Sequence, residues 1–368
     1  MNTFNDDEVE QVVKDFVSTQ KDISIDNYSN VGCNGFVYFG RHNIFNERVA
    51  LKFYYVDIGG LSHKEPQIMR ELSQNHLNIL KVHDAKMISD KYAYFLTPEI
   101  CGGDLDSYFR STAISTFSAI EIIQDILKGL SQMHKKPYRL VHRDLKPNNI
   151  LIDNVQNRAI IADFGSIKHI PSQKSDIIAS KNSLMYRPKE AVLNNIYNFQ
   201  SDIYQTGLIL FQLLGGFFPI AIADWLTQSQ YQKALKIKDT FKQHSFIESI
   251  INNKILRDKL LDYNSLPIYI DKKLKSIIKT ATSPHLSKRY GSASEFLSKL
   301  IMYKSKAVDW KNENNCIYAV KHSGVKYRIY ELKKTFILDK TIRNGEPRNV
   351  NSGHAGTIES MIEHIRNN

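Results

Sequence analysis

The sequence predicts an α+β chain of two lobes, a small β-rich one and a larger helical one, followed by a basic α+β extension. Three observations carry this reading. Between Ile23 and Leu96, short runs rich in β-branched and aromatic residues are cut by Gly and Asn, the pattern of strands and turns. After "CGGDL" (Cys101–Leu105) the apolar spacing becomes helical: in "TFSAIEIIQDILKGLSQMH", Ile120, Ile123, Ile126, Leu127 and Leu130 fall on one face. Beyond Lys304 the pattern shifts again, to "NCIYAVKHSGVKYRIYELKKTFIL".

Residues 1–22 form an N-terminal segment with a short amphipathic helix reaching Thr19. The small lobe, 23–99, holds "ISIDNYSNVG", "GFVYFGRH", "RVALKFYYV" and "YAYFLTPEI" as strands. One helix interrupts them, "SHKEPQIMRELSQN", with Ile68, Met69 and Leu72 on one face. A hinge is expected near Ile100–Gly103. The large lobe, 100–304, has short strands near Leu140 and in "RAIIADFG", a polar stretch from Ser166 to Met185, and helices from Ser201 onward. The extension, 305–368, predicts a hairpin turning at His322-Ser323-Gly324 and a last helix in "AGTIESMIEHIRNN". Its role is open: stabilising the large lobe, docking a substrate, or binding an anionic surface.

The uncharged run Ile203–Ala223, "IYQTGLILFQLLGGFFPIAIA", is nearly long enough to span a bilayer. Gln205, Thr206 and Gln212 interrupt it, and Gly215-Gly216 and Pro219 break it, so a buried core helix ending at the glycine pair is expected. No transmembrane segment is predicted, and the acidic N-terminus is unlike a signal peptide. A cytoplasmic protein is the expectation; an effector secreted into a host cell would look the same.

The 368 residues, 42% hydrophobic and 24% charged, suffice for two or three lobes. The net charge of +11 is spread along the chain, with no dense basic block, so no specific nucleic-acid partner is predicted. Cys33, Cys101 and Cys316 lie far apart and match neither a disulfide framework nor a zinc spacing.

Several residues suit phosphate chemistry. Gly32 and Gly35 sit between two strand-like runs, where glycines let backbone amides approach a phosphate; taken alone, the stretch reads more readily as a plain hairpin turn. Lys52 ends "VALK" in a buried strand, where a lysine needs a partner; Glu65, on the following helix, is the candidate. In "HRDLKPNNI" (His142–Ile150), Asp144 can accept the proton of an attacking hydroxyl. Lys146 can neutralise charge on a phosphoryl group. Asn149, and Asp163 in "ADFG", offer the hard oxygens that suit Mg²⁺ (or Mn²⁺).

These motifs, in this order, resemble the eukaryotic-type (Hanks-type) serine/threonine protein kinase family over roughly residues 25–303. The resemblance implies a bilobal protein-kinase-like fold and transfer of the ATP γ-phosphate to Ser/Thr hydroxyls of protein substrates, the chain itself included. It implies Lys52 as the phosphate-pairing lysine, Asp144 as the base, and Asn149 and Asp163 as metal ligands. Val37, Ala50 and Leu151 would sandwich adenine, Glu99 would lie on the nucleotide side, and Thr97 or Pro98 would be the gatekeeper. Phe164 and His142 would pack in a hydrophobic spine. "YRPKE" would close the activation segment, with Glu190 pairing to Arg289, and Asp202 would hold the catalytic-loop backbone. The chain departs from the family pattern in its thin glycine loop, with Asn30 where a first glycine is usual, and in the short Lys52–Glu65 separation.

Lys146, and Ser183 three residues before Tyr186, resemble the Ser/Thr-specific branch. Arg143 and Lys168 would bind a phosphate on the activation segment, which contains Ser172, Ser175 and Ser180; Ser175 or Ser180 is the expected autophosphorylation site. A homodimer serving trans-autophosphorylation is the expected self-association. The alternatives are a pseudokinase or scaffold, against which intact Lys52, Asp144, Asn149 and Asp163 argue, and a small-molecule phosphotransferase, against which the Lys-Pro of the loop argues.

Overall fold

The computed structural model describes residues 9–29, 36–55, 64–74, 76–179, 183–219, 221–342, 345–350 and 356–368. It divides into two compact units: one made of residues up to Asp104 together with Asn149–Ile167, the other of Leu105–Asn148 together with Lys168–Asn368.

The first unit begins with helix α1 (Gln11–Thr19) and strands β1 (Ile23–Ser29), β2 (Phe36–His42) and β3 (Glu47–Tyr55). Helix α2 (Lys64–Ser73) and strands β4 (Asp84–Met87) and β5 (Tyr92–Pro98) follow. The strands form one antiparallel sheet in the order β1-β2-β3-β5-β4. Alternation sorts its residues by face. Tyr38, Leu51, Phe53 and Tyr94 pack with Val13 and Val17 of α1, so the N-terminal helix caps the sheet's core. In α2, Met69 and Leu72 are buried, and Pro66 lies in the first turn, where a missing N–H costs nothing.

The second unit opens with α3 (Leu105–Ser111), α4 (Thr116–His134) and β6 (Leu140–Val141). The chain then returns to the first unit for the hairpin β7 (Ile150–Asp153) and β8 (Arg158–Ile161). Back in the second unit are β9 (Lys168–His169), β10 (Ile177–Ile178), α5 (Lys189–Asn194), β11 (Ile196–Tyr197), α6 (Phe199–Leu213), α7 (Gln228–Lys236), α8 (Thr240–Leu256), α9 (Lys272–Ala281) and α10 (Ala293–Lys304).

Helix α6 is the uncharged run, and nearly every residue of it is buried. Asn198 and Ser201 close a reciprocal capping box at its start. Gly215, at φ +86°, turns the chain just past its end. Gly207 lets α6 approach α9: a Cβ there would lie 2.9 Å from that of Ala281. No helix among the described residues is long and apolar enough to cross a membrane.

The extension is larger than a hairpin. Strands β12 (Asp309–Glu313), β13 (Cys316–Val320), β14 (Lys326–Leu332), β15 (Thr335–Thr341) and β16 (Arg348–Asn349) form an antiparallel meander, followed by α11 (Ile358–Asn367). The expected turn joins β13 to β14, with Gly324 at φ +79°. Sequence reading missed β12, too polar to show alternation, and β16, only two residues long. The meander belongs to the second unit: Trp310 stacks on Tyr269 at 5.8 Å, and Phe117 N–H donates to Asp309 at 2.7 Å.

Candidate active site

In the first unit, sheet register gathers one set of expected residues. Val37 lies opposite Lys52, and Ala50 lies opposite Thr97, so Val37, Ala50, Lys52 and Thr97 share a sheet face. Thr97 is buried and directs its hydroxyl to the Ala50 carbonyl at 3.5 Å. Pro98 pairs instead with Val49, which is on the other face. Lys52 Nζ lies 5.6 Å from the Phe95 ring centre and 3.3 Å from an Asp163 carboxylate oxygen.

Asn149 and Asp163 come from the same end of the β7–β8 hairpin. Ile150 pairs with Ile161, and the Ala162 N–H donates to the Asn149 carbonyl at 2.9 Å. Asn149 is buried. Asp163 sits at φ +57°, a region costly for a non-glycine residue, and such strain gathers where a side chain must be aimed. Leu151 is half-buried on β7, bridged to Asp104.

Glu99 is held by Arg48, whose Nε donates to it at 2.7 Å while its guanidinium also pairs with Asp26. The hydrogen bonds that Arg48 donates to Asp26 and Glu99 raise its pKa further above its ordinary value. Gly32, Gly35 and Asn30 lie outside the described residues, as does Ser180. Glu65 is in the first turn of α2, but its side chain is outside the described part, so its pairing with Lys52 stays an expectation.

In the second unit, Asp144 is buried, and one carboxylate oxygen accepts from Lys146 Nζ at 3.0 Å. Ser183 donates to the other oxygen, and Lys146 also reaches Ser183 Oγ at 3.1 Å. The result is a closed Asp–Lys–Ser triangle with a serine hydroxyl resting against the carboxylate.

The loop carrying Asp144 is held from below by α6. Asp202, fully buried, accepts from the backbone N–H of His142 at 2.9 Å and of Arg143 at 3.0 Å. The Tyr197 hydroxyl donates to Asp202 at 2.9 Å, and His134 Nε2 lies 2.9 Å from it. Burial pushes the Asp202 pKa up, but the His134 hydrogen bond and charge, with the Arg143 N–H, outweigh it and hold the group below the usual carboxylate value. Gln205 accepts from Leu145 N–H at 2.9 Å, has its amide oxygen 2.8 Å from the Tyr197 hydroxyl, and donates to the Tyr186 carbonyl at 3.2 Å. Gln205, one of the polar residues that interrupt the apolar run, thus helps Asp202 satisfy this loop. Sequence reading missed His134, Tyr197 and Gln205; the only signal was a glutamine in an otherwise apolar helix.

Arg143 has φ +70°, and its guanidinium donates to the Ile178 carbonyl at 3.3 Å. Burial lowers its pKa. Lys168 is exposed on β9, paired with Val141 of β6. Ser175 donates to Asp176 at 2.8 Å. Arg139 also orders this stretch, donating to the carbonyls of Ile170 at 3.0 Å and Lys174 at 3.1 Å. His142 and Phe164 are both fully buried, each in its own unit. Glu190 and Arg289 meet as a buried ion pair at 2.7 Å.

Asn149 and Asp163 fit a hard cation with a few oxygen ligands, the kind that arrives with phosphates and keeps its waters. Among the described residues no cluster of three His, Cys, Asp or Glu side chains could hold a metal alone.

A family model described as a protein kinase domain matches residues 31–301. The chain is 31% identical over 187 residues to a human serine/threonine-protein kinase, DCLK3, covering 49% of this chain and 28% of that protein. It is 27% identical over 222 residues to the serine/threonine-protein kinase VIK of Arabidopsis thaliana, covering 57% and 49%. It is 31% identical over 210 residues to calcium-dependent protein kinase 4 of Plasmodium falciparum, covering 55% and 37%. The match therefore spans less than half the length of each of these relatives.

Proposed function

The chain belongs to the protein kinase domain family, and from that premise we propose that it transfers the γ-phosphate of ATP to serine or threonine hydroxyls of proteins. The observation that carries this reading is the triangle of Asp144, Lys146 and Ser183. A carboxylate already receiving a serine hydroxyl is poised to receive that of a substrate and take its proton. Lys146, beside the same carboxylate, supplies positive charge where the transferring group would gain negative charge. Ser183 orients both groups, which supports a Ser/Thr acceptor.

Lys52 pairs with the donor's phosphates. Asn149 and Asp163 would hold Mg²⁺, which would supply positive charge to offset that of the phosphates. The sheet face bearing Val37 and Ala50, with Leu151, takes the adenine. Phosphoryl transfer asks little covalent work of a protein beyond positioning and charge, so these side chains suffice for it. Autophosphorylation of the activation segment belongs to the same reading, with Ser175 or Ser180 as the acceptor.

The test is transfer from radiolabelled ATP to a panel of proteins, peptides and small-molecule acceptors such as aminoglycosides, with wild type and Asp144→Ala. Label on Ser or Thr that disappears in the variant supports the proposal. Label only on small molecules would favour a small-molecule phosphotransferase, and none at all a scaffold.

A further inference from the structure

Away from these residues, the second unit holds a half-open cavity of about 300 Å³ where α6, α8 and α9 meet the loop at 282–288. Its charged lining is lopsided. Lys189, Lys279, Lys288 and His285 face it with Asp258 as the one acid. Asp258 already pairs with Lys189 at 3.2 Å. Lys279 rests over the Tyr263 ring at 5.1 Å and has no acidic partner among the described residues; Lys288 has none either.

A second observation comes from the cavity's inner wall. Tyr204 is 5% exposed, its ring lies against the Arg289 guanidinium at 5.1 Å, and its hydroxyl makes no hydrogen bond among the described residues. The Tyr204 hydroxyl is not among the side-chain atoms buried dry without a partner; on a residue that lines the cavity, it is open to a ligand as well as to water. Other hydroxyls at the site are engaged: Tyr263 with Thr282 at 2.7 Å, and Ser283 with the His285 carbonyl at 3.2 Å. The cavity thus pairs an unused donor in its wall with unpaired lysines at its mouth. Ile255 and Leu260 add apolar wall.

We infer that this cavity is a binding site for a phosphate monoester, its phosphate held by Lys279 and Lys288 with a hydrogen bond from Tyr204 and its organic part against the apolar wall. A monoester dianion matches the excess of donors, and the volume suits one phosphorylated side chain or a small phosphorylated metabolite. Asp258 opposes such a ligand and competes with it for Lys189. None of these residues takes part in the proposed phosphoryl transfer, so the inference stands or falls independently of that function.

The experiment is calorimetric titration of the full chain with inorganic phosphate, phenyl phosphate and the peptide Ala-Ala-pSer-Ala-Ala, at fixed ionic strength, with sodium chloride and the unphosphorylated peptide as controls. The expected result is saturable binding of at least one phosphate probe. The Lys279→Glu/Lys288→Glu double variant should weaken it by about tenfold or more, and Tyr204→Phe by about three- to tenfold. Asp258→Asn should tighten it. The phosphopeptide binding more tightly than phenyl phosphate identifies a phosphorylated protein as the source; the reverse identifies a free metabolite. No binding, binding matched by chloride, or binding unchanged in folded variants would overturn the site. Phosphate probes also meet the nucleotide-binding residues, and the variants locate the signal because Lys52 and Asp163 are intact in all of them.

Discussion

Arg289 grips Glu190 with a fork: Nη1 and Nη2 donate to the two carboxylate oxygens at 2.7 and 3.1 Å, with both residues buried. Arg289 also donates to the carbonyls of Ser283 and Gln200, and Ser201 donates to Glu190 at 2.7 Å. Breaking one side of such a pair strands a buried charge, at a cost of about 3–5 kcal/mol. Arg289→Met should therefore lower stability by that order in urea unfolding, and Glu190→Gln by less, because an amide still accepts. The double variant should recover part of the loss; equal losses in all three would refute charge stranding as the cause.

Asp202 makes a prediction about pH. Its folded-state pKa lies below the ordinary value, so the folded chain binds its proton less readily than the unfolded chain. The stability it contributes is fully present above the unfolded pKa, near ~3.9, and is lost as pH falls through the depressed folded value. The stability gap between wild type and Asp202→Asn should hold steady from neutral pH to mildly acid pH and close only below about pH 4. Chemical denaturation across that range measures it.

Within the Asp144 triangle, the three members should not be equal. Asp144→Asn removes the proton acceptor and should cut kcat by roughly 10²–10⁴-fold with little change in KM for ATP. Ser183→Ala leaves the acid and lysine in place and should cost less, about tenfold or below, with Ser183→Thr close to wild type. Steady-state kinetics on one peptide would decide, and a Ser183→Ala loss as deep as that of Asp144→Asn would contradict this ordering.

Lys52 and Asp163 lie 3.3 Å apart. Lys52→Met should lower kcat/KM by about 10²–10³-fold through lost charge stabilisation. Chelation with EDTA should abolish transfer reversibly, with Mg²⁺ or Mn²⁺ restoring it in wild type but not in Asp163→Ala. Restoration in that variant would remove Asp163 from the metal.

Asp309 fastens the C-terminal meander to the start of α4 through Phe117 N–H. Burial raises its pKa, so its charged form opposes the fold, and stability linked to it grows as pH falls through the raised value. Asp309→Asn keeps the acceptor without the charge and should melt no lower than wild type at pH 7, while Asp309→Ala should melt lower. Differential scanning fluorimetry over a descending pH series would show the gap between Asp309→Asn and wild type shrinking as the raised value is crossed.

Much of this protein was written locally in its chain. Strand alternation around Lys52, helical spacing from Thr116 to His134, and the glycine-ended apolar run depend on neighbours within a few residues, so periodicity reveals them. The residues proposed to carry the chemistry stood out equally, because Asp144, Lys146, Asn149 and Asp163 stand in short motifs whose residue types are demanding. Only the tertiary structure could decide what meets across long separations. It put Thr97 rather than Pro98 on the face of Ala50, laid Ser183 against Asp144, and set Gln205 and Asp202 beneath a loop sixty residues earlier. It also set Tyr204, Lys279 and Lys288 around one cavity. Such meetings follow from how whole helices and strands pack to bury apolar surface and satisfy every buried donor, a condition on the entire chain that no short stretch of it can express.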